Sequence, residues 1–226
     1  MQLIEKVIQK LRRAGFWETL RYLPHWLHER FYEWRFGIDS AGYLNVRDTG
    51  LEGATDPSGS YEPSSYRDIF RALGLIKVNP QQDVFLDYGS GKGRAVIVAA
   101  TYPFKRVIGV ELSPELNAVA RQNLKRAARR LRCRQVEIVT ADAMQYQLPD
   151  DVTVVFLYGP FFGEPLQAVI TQLNQSLRRV ARPLSVIYRY PQWTDDPFQA
   201  HPGFELLKET SGYTDAGERV RIYRSR

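Results

Sequence analysis

A single cysteine, Cys133, stands in 226 residues. That excludes an internal disulfide. With only three histidines, at positions 25, 28 and 201, it also weighs against a structural zinc, whose ligands come as closely spaced Cys and His pairs. No metal is expected. No apolar run approaches the ~18 residues that a bilayer-spanning helix needs, and the first residues lack the apolar region and cleavage site of a secretory signal. A cytoplasmic location is the expectation. Internal repeats and low-complexity segments are likewise missing. Charge of one sign is only modestly in excess, at +6 net; this leans the chain toward acidic partners such as nucleic acid or an anionic membrane surface. What is present is a hydrophobic fraction of 44%, that of a globular protein, in a length that suits one sizeable domain plus an extension.

Residues 3–36 read as helical. Leu3, Ile4, Val7, Ile8 and Leu11 recur at helical spacing between charged residues, and Gly15 and Pro24 predict two or three short helices rather than one. This stretch is rich in aromatics, among them Trp17, Trp26, Phe31, Tyr32 and Trp34. It reads as a helical cap on a sheet domain, with an interfacial membrane helix or a substrate-binding cover as sharper alternatives. Residues 37–63 carry Gly, Asp, Ser, Thr and Pro in a loop-like mixture, and Ser64 or Ser65 is placed to cap a helix running to about Leu73. Strands and helices then alternate: strand 83–87, helix 92–102, strand 106–110, helix 114–131, strand 135–139, strand 152–157, helix 164–180 and strand 184–190. Phe204–Glu209 and Arg219–Arg224 read as an antiparallel hairpin. Such alternation predicts an α/β fold, a Rossmann-like, mostly parallel sheet with helices on both faces.

The chemistry concentrates in Val84-Phe-Leu-Asp87-Tyr-Gly89-Ser-Gly91-Lys-Gly93-Arg94, followed by Val107-Ile-Gly-Val-Glu111. A buried strand, a glycine-rich turn, a helix and a second strand ending in an acid make half of a nucleotide-binding sheet. The glycines let the backbone approach a ligand where a Cβ would clash. An acid ending the second strand can accept hydrogen bonds from both ribose hydroxyls. The spacing narrows the ligand. A dinucleotide fingerprint wants a small third residue where Arg94 stands. A phosphate-cradling P-loop wants glycine where Leu86 stands and a Gly-Lys-Ser/Thr order that is absent. Asp87 would repel a pyrophosphate, and suits a ligand carrying an amino group and a sulfonium.

Asp87-Tyr-Gly-Ser-Gly-Lys-Gly93, with Glu111 and Asp142, resembles the cofactor motifs of class I S-adenosylmethionine-dependent methyltransferases. The resemblance spans roughly Tyr61 to Pro191. It is nearest to bacterial methyltransferases with the pattern YEP … DYGSGKGR … GVELSP, and more distantly similar to protein lysine methyltransferases. It implies a seven-stranded sheet whose last strand is antiparallel, residues 61–226 as the methyltransferase domain, and residues 1–60 as an N-terminal helical, aromatic extension and loop. It implies S-adenosyl-L-methionine as cofactor. Gly89, Ser90, Gly91 and Gly93 would form the turn under the methionine part. Asp87 would face its amino group, Glu111 would hold the ribose, and Asp142 would meet the adenine amino group, with capping of a helix as its alternative role. Tyr61, in Tyr61-Glu62-Pro63, would contact the cofactor or line a lysine channel.

Phe156-Leu157-Tyr158-Gly159-Pro160-Phe161-Phe162 ends the fourth strand, where open α/β sheets bind ligands. Related bacterial proteins carry Asn-Pro-Phe here, similar to the motif with which amino-group methyltransferases hold a target nitrogen. Gly159 stands in the asparagine's place, leaving backbone carbonyls and Tyr158, which weighs against a nucleic-acid-base amine. Tyr158 and Tyr61 are the candidates for orienting the acceptor; no histidine is placed as a base. The basic run Arg121, Lys125, Arg126, Arg129, Arg130, Arg132 and Arg134 reads as a solvated face, with a nucleic-acid tract as the alternative. The expected activity is transfer of the sulfonium methyl to a protein lysine or a small molecule. A nucleic-acid methyltransferase, or a non-catalytic cofactor-binding scaffold, is the alternative. Peripheral membrane contact would run through residues 1–36.

Overall fold

The computed structural model describes residues 16–42, 44–45, 60–158, 163–191, 196–211 and 218–226. The helical pattern read over residues 3–15 and the segment Gly159–Phe162 lie outside the described residues. The chain enters through helix α1 (Phe16–Phe36), a two-stranded antiparallel ribbon of β1 (Leu44–Asn45) and β2 (Ser60–Tyr61), and helix α2 (Tyr66–Gly74). There follow β3 (Val84–Tyr88), α3 (Arg94–Ala100), β4 (Arg106–Glu111), α4 (Pro114–Ala127), β5 (Val136–Thr140), β6 (Val154–Tyr158), α5 (Gly163–Arg179), β7 (Ser185–Pro191), β8 (Phe204–Ser211) and β9 (Glu218–Ser225). The elements agree with the periodicity to within a few residues.

Strands β3 to β9 form one seven-stranded sheet of order β5-β4-β3-β6-β7-β9-β8. β3 to β7 run parallel, and β9, the last strand in the chain, is antiparallel to both of its neighbours. Every residue of β3 is buried, as expected of a central strand covered on both faces. The chain leaves β3 for β4 on one side and later returns to place β6 on the other. The carboxyl end of β3 is therefore the topological switch point, where a crevice opens.

Register fixes which side chains share a face. Asp87 pairs with Gly109 on one side and Phe156 on the other, and Tyr158 pairs with Arg189. Because side chains alternate along a strand, Glu111, Asp87, Tyr158 and Arg189 all project from the same face at the carboxyl end of the sheet. Beneath them lie Val107, Phe85, Phe156 and Ile187, packed against Ile69 and Leu73 of α2 and Val96 and Val98 of α3. The opposite face buries Leu86, Ile108, Val155 and Val186 against Leu166, Val169 and Leu173 of α5. Each such side chain contributes roughly 1.5–3 kcal/mol when fully buried.

Two local expectations are corrected. Pro24 lies inside α1, which runs unbroken from Phe16 to Phe36. Proline removes one backbone donor, and the helix beyond it is held by tertiary contacts: Tyr32 packs its ring against Phe36, Tyr66 and Phe70. Ser65 occupies the N-cap position of α2, but its side chain makes no capping bond. The first backbone donor, Tyr66 N–H, goes instead to Glu29 Oε1 of α1 at 2.9 Å. A carboxylate from another helix does the capping, which no local pattern announces. On its outward side α1 exposes Leu27, Phe31 and Trp34.

Candidate active site

The glycine turn hangs from the neighbouring strand. The N–H groups of Gly89 and Ser90 both donate to Val110 O, and Gly93 N–H closes back on Ser90 O. Gly91 and Gly93 have φ of 52° and 81°, left-handed values that L side chains rarely adopt. Space is restricted too. A Cβ on Gly91 would run into the Tyr61 ring, 2.8 Å from Cδ2, and one on Gly93 would lie 3.1 Å from Ala120 Cβ of α4. Ser90 turns inward: its hydroxyl lies 2.8 Å from where a Cβ on Gly109 would sit. Of the turn's predicted contacts, Ser90 is the one whose side chain points away from the mouth.

Glu111 closes the other side. Its Oε2 accepts Gly91 N–H at 2.8 Å and its Oε1 accepts Ser113 N–H at 2.9 Å. Ser113 in turn caps α4 by accepting Leu116 N–H, with Pro114 pre-set for the first turn. Burial raises the Glu111 carboxyl above its usual range, against the backbone donors of Ser113, Gly91 and Leu112. Asp87, also buried, is pushed well up by burial and by the charge of Glu111. One buried carboxylate, Asp87, and one half-buried, Glu111, thus stand astride a turn whose glycines leave the backbone bare.

Asp142 follows β5, with Oδ1 accepting Met144 N–H at 2.8 Å and Oδ2 accepting the Gln145 side chain at 3.1 Å. It closes a turn rather than capping a helix. Tyr61 lies over the glycine turn, its hydroxyl donating to Ser40 O at 2.8 Å, with Lys92 Nζ 5.3 Å above the ring. Burial holds the Tyr61 phenol protonated, with its pKa raised. Tyr158 is half-buried at the end of β6. The Arg189 guanidinium stacks 4.0 Å over its ring, and Arg189 Nε lies 3.9 Å from Asp68 Oδ2 of α2. Tyr61 covers the turn, and Tyr158 stands at the carboxyl end of β6.

The structure adds residues that motif reading passed over. Asn117, wholly buried, donates to Glu111 O, Val139 O and Thr140 Oγ1 and so bridges the ends of β4 and β5. Asn123 donates to Lys92 O and Asp39 O and accepts Asp39 N–H. Both asparagines sit on the inward stripe of α4 beside Leu116, Ala120 and Ala127, and polar residues on an apolar stripe were the available signal. His25, on α1, has its pKa lowered by burial, with Glu29 opposing. His201 accepts Gly203 N–H at Nδ1. The basic run is exposed on α4 and the segment after it, with Arg121 reaching Ile138 O on β5, the outermost strand of that side. Among the described residues no cluster of His, Cys, Asp or Glu could hold a metal ion, and no helix is long and apolar enough to cross a membrane.

A sheet of this order, with acids ending its first two parallel strands about a glycine turn, has well-defined relatives. The model of the ANTKMT methyltransferase domain matches residues 87–197. An RNA methyltransferase from Salinibacter ruber, solved with S-adenosyl-L-homocysteine, is 26% identical with a TM-score of 0.50 over 73% of this chain and 94% of that one. A TehB-like S-adenosylmethionine-dependent methyltransferase from Corynebacterium glutamicum is 14% identical, with a TM-score of 0.52 over 88% and 99% of the two chains. TYW2 from M. jannaschii, solved with S-adenosylmethionine, is 15% identical, with a TM-score of 0.50 over 73% and 76%. The last two show likeness of fold. No curated protein matches the sequence. The chain is a class I S-adenosylmethionine-dependent methyltransferase. Within that class, its sequence over residues 87–197 is similar to the ANTKMT methyltransferase domain.

The donor set fits the cofactor. The buried Asp87 and the half-buried Glu111, each raised in pKa, suit a ligand bringing a cation and hydroxyl donors, and the amino and ribose groups of S-adenosylmethionine are such partners.

Proposed function

We propose that residues 61–226 transfer a methyl group to an amine, on a protein lysine or a small molecule, and that segment 39–41 of the N-terminal extension supports the glycine turn. The observation that carries this reading is the stack of Arg189 on Tyr158, one register step beyond Asp87 on the same sheet face. When bound, the cofactor supplies a methyl on sulfonium sulfur, open to in-line displacement. Glu111, already held by the backbone donors of Gly91, Ser113 and Leu112, keeps lone-pair capacity for the ribose hydroxyls. Asp87 takes the amino group, Gly91 and Gly93 admit the methionine part, and Asp142 accepts from the adenine amine. Tyr61 shields the turn from water. Tyr158 orients the acceptor, and the positive charge of Arg189 favours its neutral, nucleophilic form over an ammonium. The chain contributes alignment and exclusion of water rather than a strong base. A cytoplasmic setting belongs to the same reading.

A second reading, an RNA acceptor, draws on the Salinibacter relative and the exposed arginines of the α4 region. Those arginines flank β4 and β5, on the side of the sheet away from β6 and β7, so the amine reading is preferred. The test is transfer of labelled methyl from S-adenosylmethionine into whole lysate, followed by nuclease or protease and by mass analysis of the labelled product. Protease-sensitive label recovered as methyl-lysine, or label on an amine metabolite, supports the proposal. Nuclease-sensitive label replaces it with the RNA reading, and absence of any label in every fraction favours a non-catalytic scaffold.

A further inference from the structure

Arg94 is the residue immediately after the glycine turn, the first of α3, and it is only 4% exposed. A guanidinium so placed costs several kcal/mol to desolvate unless each nitrogen is met. Here each is met, and mostly from the N-terminal segment. Nε donates to Ser40 Oγ at 2.8 Å. Nη1 donates to Glu29 Oε2 and, at 2.8 Å, to Ser64 O. Nη2 donates to Glu33 Oε1 at 3.1 Å, and the whole plane lies 4.2 Å over the Tyr66 ring. Glu29 and Glu33 are one helical turn apart on α1, so both carboxylates face the same way. Glu33, 6% exposed, is itself fixed by Ser40 N–H and the Tyr66 hydroxyl, each at 2.8 Å.

The fastening is repeated beside it. Lys92, inside the turn, donates from Nζ to Ala41 O at 3.0 Å. Asn123 joins Lys92 O to Asp39, and the Tyr61 hydroxyl reaches Ser40 O. Segment 39–41 is thus tied to the C-terminal end of the turn through Lys92, Asn123 and Arg94, and α1 is tied to the same segment through Glu33. The turn is held on its other side by Glu111.

From this we infer that Arg94 is a positioning residue for the cofactor turn, and that α1 belongs to the cofactor-binding unit through Glu29 and Glu33. The role rests on the reading of the glycine turn as the cofactor cradle. Its guanidinium taken up by these partners, Arg94 acts through the turn. It fixes the first turn of α3, and with it the pitch of residues 89–93, against an anchor more than fifty residues upstream. Neutralising the anchor leaves a buried arginine short of a partner and lets the turn drift from the geometry that binds.

The experiment compares wild type with Glu29→Gln, Ser40→Ala and Arg94→Lys. Calorimetric titration gives affinity for S-adenosylmethionine, and hydrogen exchange follows the amides of residues 89–94 and of the β8–β9 hairpin. Expected is weakening of about tenfold in Glu29→Gln, from loss of a charge-assisted bond. Arg94→Lys weakens binding as well, because lysine keeps the charge but not the fork. Exchange rises in the turn and stays unchanged in the hairpin. Wild-type affinity in both Glu29→Gln and Ser40→Ala overturns the inference, as does exchange that rises equally in turn and hairpin, which marks a purely structural role. The two mild substitutions decide the matter even where Arg94→Lys unfolds. Failure of wild type to bind removes the cofactor reading and this inference together, and is seen before any variant is compared.

Discussion

Glu111 accepts the backbone N–H of Gly91 at 2.8 Å, so the acid that ends one strand steadies the turn that ends its neighbour. The two halves of the proposed cofactor site are therefore coupled before any ligand arrives. Preorganisation of this kind lowers the ordering cost of binding. Substituting Glu111 by alanine removes that coupling and the carboxylate proposed for the ribose at once. Charge-assisted hydrogen bonds are worth about 1.5–3 kcal/mol each, so Glu111→Ala should weaken S-adenosylmethionine binding by at least tenfold. Glu111→Gln, which keeps an acceptor oxygen, should fall between it and wild type in the same calorimetric titration.

Asp87 links binding to protons. Burial and the Glu111 charge raise its pKa in the free protein, and an arriving ammonium would lower it again. Binding should therefore release protons and tighten as pH rises through the raised pKa. Titrations in buffers of different ionisation enthalpy measure that release. Stability runs the other way. Between the unfolded value of 3.8 and the raised folded value, the native state binds more protons than the unfolded chain, so its stability falls as pH rises through that window. Asp87→Asn should lose cofactor affinity and proton release, yet at pH 8 should unfold at higher urea than ligand-free wild type, because it removes the buried charge that the native state pays to ionise.

Much of this was legible in the chain. The alternation of β-branched strands with helical stripes gives the doubly wound sheet, and the glycines with Asp87 and Glu111 mark its switch point, because backbone approach and strand-end acids follow from local residue types. Arg94 shows where local reading stops. In the motif it marks only a departure from a dinucleotide fingerprint; its partners Glu29, Glu33 and Ser40 lie more than fifty residues earlier, and nothing in helical periodicity tells an inward glutamate from an outward one. Arg189 and Asp68 are similar, since strand pairing and helix docking bring them together only in the folded chain. Pro24 shows the complementary limit: propensity is local, and the packing of Tyr32 on α2 overrides it.

Gly91 and Tyr61 should behave as a pair. Gly91→Ala puts a left-handed backbone on an L residue, costing roughly 1–2 kcal/mol, and drives a methyl into the Tyr61 ring. Tyr61→Ala relieves only the second effect. The double variant should therefore recover part, not all, of the stability lost in Gly91→Ala, as measured by urea unfolding in a double-mutant cycle. Additive losses would mean that the ring does not crowd the turn. Tyr61→Phe, which keeps the ring and gives up the hydroxyl's bond to Ser40 O, should cost about 1 kcal/mol.

Tyr158 and Arg189 should separate turnover from cofactor affinity. Neither lies on the glycine turn, and Tyr158 stands beyond Phe156, at the carboxyl end of β6. Once the acceptor is in hand, Tyr158→Phe should leave the affinity for S-adenosylmethionine within about twofold of wild type while kcat falls by about 10–100-fold, the loss expected when an orienting hydroxyl is removed. Arg189→Met keeps much of the side-chain volume but removes the cation. If that cation favours the neutral amine, the pH at which kcat reaches half its maximum should move up in Arg189→Met, because the bound ammonium then holds its proton to higher pH. An unchanged pH profile with a lowered kcat would reduce Arg189 to support for the Tyr158 ring, and would shift the search for the group that readies the amine to Asp68, its carboxylate partner on α2.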